Sequence, residues 1–187
     1  WEMSCEIVDG IRENKHVLVE AGVGIGKSFA YIVPILYYSK IYHRPVVIAT
    51  STIALQEQLT HDIEKIMDML NYEVEVLVAK GQNHFLCKKR FDDCFTKEFI
   101  EESVEHQIIN DAICKFGYEK ADWNVAVPNE IWNQINVKEY KAQFCKDKCS
   151  YCGCCYYYNL RQKMMSTHGI IVCNQDLLAV NMHKKAN

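Results

Sequence analysis

A glycine-rich segment that ends in lysine and serine has the residue types and spacing for phosphate chemistry. Residues 21–28 read Ala-Gly-Val-Gly-Ile-Gly-Lys-Ser, a small residue and four others before Gly-Lys-Ser, as in a phosphate-binding loop. Its glycines are Gly22, Gly24 and Gly26. They would turn backbone N–H groups toward an anion at the start of a helix. Lys27 is predicted to reach the β- and γ-phosphates of a nucleotide, and the Ser28 hydroxyl to ligate Mg²⁺.

Cysteines form a second group with the chemistry of a site. The chain has ten cysteines, and six of them lie at the two ends of one long segment, one at its start and five at its end. These are Cys87, Cys145, Cys149, Cys152, Cys154 and Cys155. One distant thiolate and three clustered ones would tie the ends of that segment together, and four thiolates suit an iron–sulfur cluster or a structural zinc. The spacing alone does not choose between the two metals.

Length and composition favour a globular intracellular protein. The 187 residues suffice for one domain or a domain with an insertion, and 49% of them are hydrophobic. A net charge of −3 excludes a chain that is basic throughout, so any nucleic-acid contact must come from a local surface. The sequence has no signal peptide and no apolar run long enough to span a bilayer. We therefore expect a cytoplasmic protein with reduced thiols.

Strand and helix patterns alternate in the first half, and these elements must position the phosphate loop. Short apolar runs predict strands at residues 17–20, 45–50 and 73–78. Helical periodicity predicts helices at residues 4–13, residues 27–40 and Ile53–Leu70. This order, βαβαβ, predicts a parallel sheet with helices on both faces.

The alternation stops over residues 81–155 and then resumes. Within that segment, helices are predicted at residues 98–116 and at Asn129–Ile135. After it come a helix, a strand and a helix, at Tyr156–Ser166, residues 169–173 and residues 175–183. We therefore predict one α/β domain made of residues 1–80 and 156–187, interrupted by a Cys-rich domain of residues 81–155.

Over nearly its whole length, the chain resembles the N-terminal part of the iron–sulfur DNA helicases of the bacterial DinG type, relatives of XPD. Residues 19–28 look like helicase motif I, and residues 49–59 look like motif Ia. Residues 80–87 are similar to the family's lead-in to its first cluster cysteine, and residues 149–161 to the segment with the last two. Residues 170–178 resemble the strand, turn and helix that follow the insertion.

The resemblance implies a RecA-like P-loop fold, truncated here, with an inserted and mostly helical iron–sulfur domain. It implies a 4Fe–4S cluster ligated by Cys87, Cys145, Cys149 and Cys155. It also implies ATP and Mg²⁺ as cofactors, and ATP-driven 5′→3′ movement of the full-length protein on single-stranded DNA, in a DNA-repair role and as a monomer. Motif Ia would contact the DNA backbone through Thr50, Ser51, Thr52 and Gln56.

The sequence departs from the family pattern at several positions. Gln175 stands where a histidine is expected, and the spacing from Cys145 to Cys149 is about one residue short. Cys152 and Cys154 are additional, so either one is an alternative to Cys145 as a ligand.

No acidic box follows Asn174, so the catalytic set is incomplete even though Lys27 would support phosphoryl transfer. We therefore expect a fragment that binds nucleotide and does not unwind DNA alone. The alternatives are a zinc-stapled P-loop module that binds nucleic acid without motor activity, and a redox sensor that uses Cys152 or Cys154.

Overall fold

The computed structural model describes residues 1–22, 24, 26–96 and 103–186, which divide into two compact units. The first unit is Trp1–Ala79 with Ser166–Asn187, and the second is Lys80–Met165. The helices are α1 (Glu2–Glu13), α2 (Lys27–Tyr42), α3 (Ile53–Leu70), α4 (Lys88–Thr96), α5 (Val104–Phe116), α6 (Asn129–Ile135), α7 (Ala142–Lys148), α8 (Tyr156–Ser166) and α9 (Gln175–Ala186). The strands are β1 (Val46–Thr50), β2 (Val76–Ala79) and β3 (Ile170–Asn174). No helix within these described ranges has the length and apolar character needed to cross a membrane.

Parallel strands form the sheet of the first unit, as the sequence predicts. The strand order is β1-β3-β2, so the last strand in the chain lies in the middle. Val46 of β1 and Val76 of β2 both stand opposite Ile170 of β3. The α/β class with a parallel sheet is therefore confirmed.

Helices α2 and α3 pack against one face of the central strand. Residues two apart on a strand share a face, and Ile170 and Val172 belong to the same buried cluster as side chains of both helices. The other buried members of this cluster are Ile32, Leu36, Leu59, Ile63 and Ile66. Ile171 and Cys173, on the opposite face of β3, are buried as well. Burial on both faces explains why β3 reads as a continuous apolar run.

The predicted strand at residues 17–20 is wrong. The described residues of the first unit form three strands, and none of them includes this segment. Leu18 is fully exposed, and Val17 and Val19 are about 40% exposed. An apolar run becomes a strand only where a neighbour supplies hydrogen-bond partners for its backbone. Residues 17–20 lack that pairing, and they reach the phosphate loop as irregular chain.

A close backbone approach joins the start of β3 to the residue before β2. The Ile170 N–H donates to the Glu75 carbonyl over 2.8 Å, and the Val46 N–H donates to the Gly169 carbonyl over 3.0 Å. A Cβ atom on Gly169 would stand 2.0 Å from the Glu75 carbonyl oxygen. Only glycine therefore permits this spacing.

The second unit is built around aromatic and aliphatic side chains of α4, α5 and α6. Its buried cluster is Leu86, Phe91, Phe95, Ile109, Ala112, Trp123, Val127, Trp132 and Ile135. Both tryptophans also have polar partners: Trp123 Nε1 donates to the Gly117 carbonyl and Trp132 Nε1 to the Asn83 carbonyl, each over 2.9 Å. A smaller cluster of Phe85, Val137 and Tyr157 packs with Cys87 and Cys155.

Three helix predictions agree with the structure to the residue, and two helices were not predicted. Helices α3, α6 and α8 have the predicted bounds, whereas the sequence missed the polar helices α4 and α7. Of the predicted helix 98–116, residues 98–102 lie outside the described residues, Ser103 is the N-cap of α5, and the remainder is α5. Helix α8, assigned from sequence to the first domain, lies almost wholly in the second unit, because Tyr157 packs against Phe85 there.

Replacing Gly169 with alanine tests the close approach of β2 and β3. We expect G169A to lower the free energy of unfolding by at least about 2 kcal/mol, because the methyl group forces backbone atoms apart. Urea unfolding followed by circular dichroism measures the change. G153A is the matched control, since a Cβ at Gly153 meets nothing within 4 Å. Equal stability of the two variants would contradict the prediction.

Candidate functional site

The loop between residue 21 and α2 turns at two glycines in left-handed conformation. Gly24 has φ 76° and Gly26 has φ 78°, while a Cβ at either position would meet no atom within 4 Å. The backbone angle is therefore the reason for glycine here, since other residues are strained at these φ values. Gly26 is also the N-cap of α2, so the loop leads directly into a helix N-terminus.

Lys27 and Ser28 open α2 next to this turn. Lys27 is exposed, and its Nζ donates to the Ala21 carbonyl over 2.9 Å, which closes the loop. The first turn of α2 has no acidic residue. The positive end of the helix dipole therefore adds to the charge of Lys27, and this combination attracts anions.

Tyr31 lies one turn further along α2 and links Ser28 to α3. Burial is the main cause that raises the pKa of Tyr31, the side chain of Ser28 lowers it, and the charge of Asp62 raises it. The Ser28 hydroxyl therefore lies beside Tyr31, and its oxygen carries lone pairs. A hard cation such as Mg²⁺ binds through oxygen lone pairs of this kind.

Polar residues continue from the carboxyl end of β1. Thr50 Oγ1 donates to the Thr52 carbonyl, and Thr52 Oγ1 accepts from the Leu55 N–H as the N-cap of α3. Asn174, which faces Thr50 in the parallel register, caps α9 by accepting from the Leu177 N–H over 2.8 Å. Two helices therefore begin at the carboxyl edge of the sheet, where open α/β folds place their ligands.

Gln56 does not belong to this exposed edge, which corrects its sequence-based assignment as a DNA contact. It is 1% exposed, and its Nε2 donates to the Ala79 carbonyl over 2.9 Å and to the Val172 carbonyl over 2.8 Å. Helical position decides this outcome, because Gln56 lies on the same face of α3 as the buried Leu59 and Ile63. Thr50, Ser51 and Thr52 remain accessible from solvent.

In the second unit, local backbone bonds position the four cysteines predicted as ligands. The Cys87 N–H donates to the Ile135 carbonyl over 2.8 Å, and the Cys87 carbonyl accepts from Phe91 at the start of α4. Cys145 and Cys149 are one helical turn apart at the end of α7. Cys155 precedes α8 and, with Cys87, packs on the cluster of Phe85, Val137 and Tyr157.

Electrostatic effects couple these thiols to one another. Burial raises the pKa of Cys87, and the charge of Cys149 adds to the effect. Burial is also the main cause that raises the pKa of Cys155, followed by the charges of Cys87, Cys145 and Cys149. The charges of these thiolates therefore disfavour one another, so forming several of them together is unfavourable without a cation. The described residues nevertheless contain no group of three His, Cys, Asp or Glu side chains arranged to hold one metal ion.

Tyr140 belongs to the same neighbourhood, and no sequence motif pointed to it. Burial, and then the charge of Cys145, raise the pKa of Tyr140 to about 12. Its hydroxyl is buried and has no hydrogen-bond partner among the described residues. Tyr140 packs on the same cluster as Cys87 and Cys155. An acceptor among these thiols would satisfy the hydroxyl, because buried polar groups are nearly always paired.

Basic residues after Cys87 are paired within the second unit. Lys88 Nζ lies 3.0 Å from Asp92 Oδ1, and Lys89 Nζ lies 2.7 Å from Asp93 Oδ2. Arg90 Nε donates to the Gln134 carbonyl over 2.8 Å. These partners reduce the positive field that residues 88–90 present, so the run is a weak candidate for a phosphate-binding patch.

A family model described as DEAD/DEAH box helicase matches residues 2–97. Among curated proteins, the 3′-5′ exonuclease DinG of Bacillus subtilis is 35% identical over 97 residues, 51% of this chain and 10% of that protein.

Two further relatives match almost the whole chain. The ATP-dependent helicase DinG of Mycobacterium tuberculosis is 25% identical over 96% of this chain and 30% of its own length. The ATP-dependent DNA helicase YoaA of Escherichia coli is 27% identical over 97% of this chain and 28% of its own length. The chain thus spans less than a third of the length of these relatives.

Replacing Gln56 with leucine tests its assignment as a buried link between α3 and the sheet. We expect Q56L to lower the free energy of unfolding by about 1–2 kcal/mol, because two buried carbonyls lose a donor. Q58L, at an exposed position of the same helix, should stay within about 0.5 kcal/mol of the parent chain. The measurement is urea unfolding of all three proteins. A Q56L protein as stable as Q58L would overturn the assignment.

Proposed function

This chain belongs to the DEAD/DEAH box helicase family, and we propose that it forms the nucleotide-binding part of the first motor domain of a DinG-type ATP-dependent DNA helicase. The observation that carries the proposal is the loop with two left-handed glycines at the N-terminus of α2, closed by Lys27. In this proposal the fold is the RecA-like type of P-loop domain, and the second unit is an inserted iron–sulfur domain.

Nucleotide binding is assigned to Gly22, Gly24, Gly26, Lys27 and Ser28. The glycine turns direct backbone N–H groups toward the β-phosphate, and the dipole of α2 adds attraction for the anion. Lys27 exchanges the Ala21 carbonyl for phosphate oxygens, so its ammonium group moves from a neutral acceptor to charged ones. Ser28 offers its oxygen to the Mg²⁺ ion that accompanies the nucleotide.

DNA contact is assigned to the exposed residues that join β1 to α3. Thr50, Ser51 and Thr52 carry hydroxyl groups at a helix N-terminus, and both features suit a phosphate of the DNA backbone. The proposed substrate of the whole protein is single-stranded DNA, followed with 5′→3′ polarity by a cytoplasmic monomer that acts in DNA repair. Such contacts carry little base specificity, because hydroxyl and N–H donors to phosphate are independent of sequence.

A 4Fe–4S cluster held by Cys87, Cys145, Cys149 and Cys155 completes the proposal. Two observations support this assignment: the charges of Cys87, Cys145 and Cys149 all raise the pKa of Cys155, after burial, and the buried Tyr140 hydroxyl lacks a hydrogen-bond partner. When bound, the cluster would supply iron–thiolate bonds to Cys87, just before α4, to Cys145 in α7 and to Cys149 and Cys155 in the segment between α7 and α8. Cys87 and Cys155 pack against the buried cluster of Phe85, Val137 and Tyr157, whose side chains would shield that side of the site from water.

The alternative is a single zinc ion held by thiols of the same set. The described residues contain no group of three His, Cys, Asp or Glu side chains arranged to hold one metal ion. Their geometry therefore does not choose between zinc and a cluster, and metal analysis distinguishes the two.

Removing the Lys27 ammonium tests the nucleotide site. We expect K27A to weaken binding of a fluorescent ATP analogue with Mg²⁺ at least about tenfold, since a charge-assisted hydrogen bond contributes more than about 1.4 kcal/mol. K65A is the control, because Lys65 is exposed on α3. Titration of the full chain measures all three affinities. Unchanged binding by K27A, or equal losses in both variants, would refute the assigned role.

Metal analysis of the anaerobically purified chain tests the cluster. We expect about four irons and a matching amount of acid-labile sulfide per chain. C87S should lose both, whereas C114S should keep them, because Cys114 is exposed on α5. One zinc per chain without sulfide would refute the cluster and support the zinc-stapled binding module instead. Iron that persists in C87S would remove Cys87 from the ligand set.

A further inference from the structure

An apolar groove lies on the surface of the first unit between α1 and α2. The Ser4 hydroxyl donates to the Ala30 carbonyl over 2.9 Å, which holds the two helices side by side. The cavity between them has a volume of about 910 Å³. Its walls are mostly apolar or aromatic, and they include Trp1 and Val8 at α1 and Ile41 on α2. The groove thus offers apolar contact on both sides.

Large side chains of this groove are exposed to solvent. Trp1 is 96% exposed and Ile41 is 66% exposed, while Phe29, Tyr37 and Tyr42 are each about half exposed. An aromatic side chain buries about 150–250 Å² when it is fully covered, so these five residues together expose several hundred Å². A contiguous patch of that size on a globular protein is often a site of interaction.

The spacing of the apolar side chains fits a helical occupant. Along α2, the side chains that line the groove recur every four residues, at Phe29, Val33, Tyr37 and Ile41. At 1.5 Å per residue, they span about 18 Å. The apolar stripe of an amphipathic helix covers the same length in between three and four turns. Because a ridge of side chains on one helix packs into the groove of others, a third helix matches this surface.

Charges on α1 indicate what kind of helix the groove attracts. This helix has a single basic residue, Arg12, and four exposed acidic residues, which are Glu2, Glu6, Asp9 and Glu13. Each residue turns the helix by about 100°, so the four acidic side chains leave α1 within about 60° of one another. Asp9 also lines the groove. One wall therefore carries an acidic flank that attracts lysine and arginine.

Tyrosines on α2 favour the same charge. Tyr38 and Tyr42 both line the groove, and their ring centroids are 5.0 Å apart. The faces of such rings attract lysine and arginine cations. Lys40 of the same helix already shows this contact, since its Nζ lies 4.0 Å from the ring centroid of Tyr72. Both walls thus favour basic side chains at the rim of the groove and apolar side chains within it.

We propose that this groove docks a basic amphipathic helix of a partner protein. Apolar side chains of that helix fill the cavity between α1 and α2, as in other complexes in which a helix lies in a groove. Its lysines and arginines lie against the acidic flank of α1 and the tyrosine rings of α2. The inference depends neither on the proposed nucleotide site nor on the metal proposed for the second unit.

Fluorescence anisotropy of the full chain with two matched peptides tests the docking site. One peptide is a helix of about 15 residues with leucine at every third or fourth position and lysine elsewhere, and the other has glutamate in place of each lysine. We expect the lysine peptide to bind at least about tenfold more tightly than the glutamate peptide. E2K/E6K should remove or reverse this preference. E57K/E64K, with the same charge change at exposed positions of α3, should keep it.

Substitutions within the groove distinguish docking from general attraction between charges. W1S/I41S removes two highly exposed apolar side chains of the groove and should weaken binding of the lysine peptide at least about tenfold. M69S is the control, because Met69 is 73% exposed on α3, outside the groove, and binding should stay unchanged.

Three results would overturn the inference. Equal binding of the two peptides, or an unchanged preference in E2K/E6K, contradicts a basic partner. Binding by W1S/I41S as tight as by the parent chain contradicts the groove as the docking site. The third result is a chain that does not bind the lysine peptide but dimerises in analytical ultracentrifugation and loses the dimer in W1S/I41S. That outcome would assign the groove to a second copy of this chain.

Discussion

The two-sided pairing of β3 is the interaction on which the first unit depends. This strand comes last in the sequence, yet β1 and β2 bond to its two edges and α2 and α3 pack on its face. Without it, β1 and β2 have no common neighbour. The loop that precedes α2 and the capped start of α3 keep their positions only because both helices rest on this strand. Long-range pairing of this kind forms slowly, since a large loop must close first.

The sequence predicted most of the elements, and its failures have physical causes. The bounds of helix α3, Ile53–Leu70, were predicted to the residue, because its apolar side chains repeat with a helical period. Residues 17–20 read equally well as a strand, but composition carries no information about whether a partner strand is present. Helices α4 and α7 were missed because lysines, aspartates and cysteines obscure their short apolar faces.

The site residues show the same contrast between features that nearby residues encode and features that depend on the fold. Gly24, Gly26 and Lys27 belong to a short motif whose backbone turn depends on only a few residues, so the turn before a helix was predictable from sequence. Their role in binding nucleotide stays a prediction. Glutamine is usually a surface residue, so sequence alone suggests that Gln56 is exposed. Only the fold shows that its amide donates to two strands. Tyr140 packs against the same buried cluster as Cys87 and Cys155. These residues are far apart in the sequence, so no local sequence pattern predicts that they share a cluster.

The bond between Lys27 and the Ala21 carbonyl has a consequence for selectivity among ligands. Since the lysine side chain is already ordered, a ligand gains no benefit from Lys27 unless it is a better acceptor than a peptide carbonyl. A neutral molecule of similar shape would therefore replace one neutral acceptor of Lys27 with another, without a gain in charge-assisted bonding. In the proposed nucleotide site, a polyphosphate would instead form charge-assisted hydrogen bonds with the Lys27 ammonium group, which are stronger than its bond to a peptide carbonyl. The Ala21 carbonyl would thus set the acceptor strength that a ligand must exceed before it gains from Lys27.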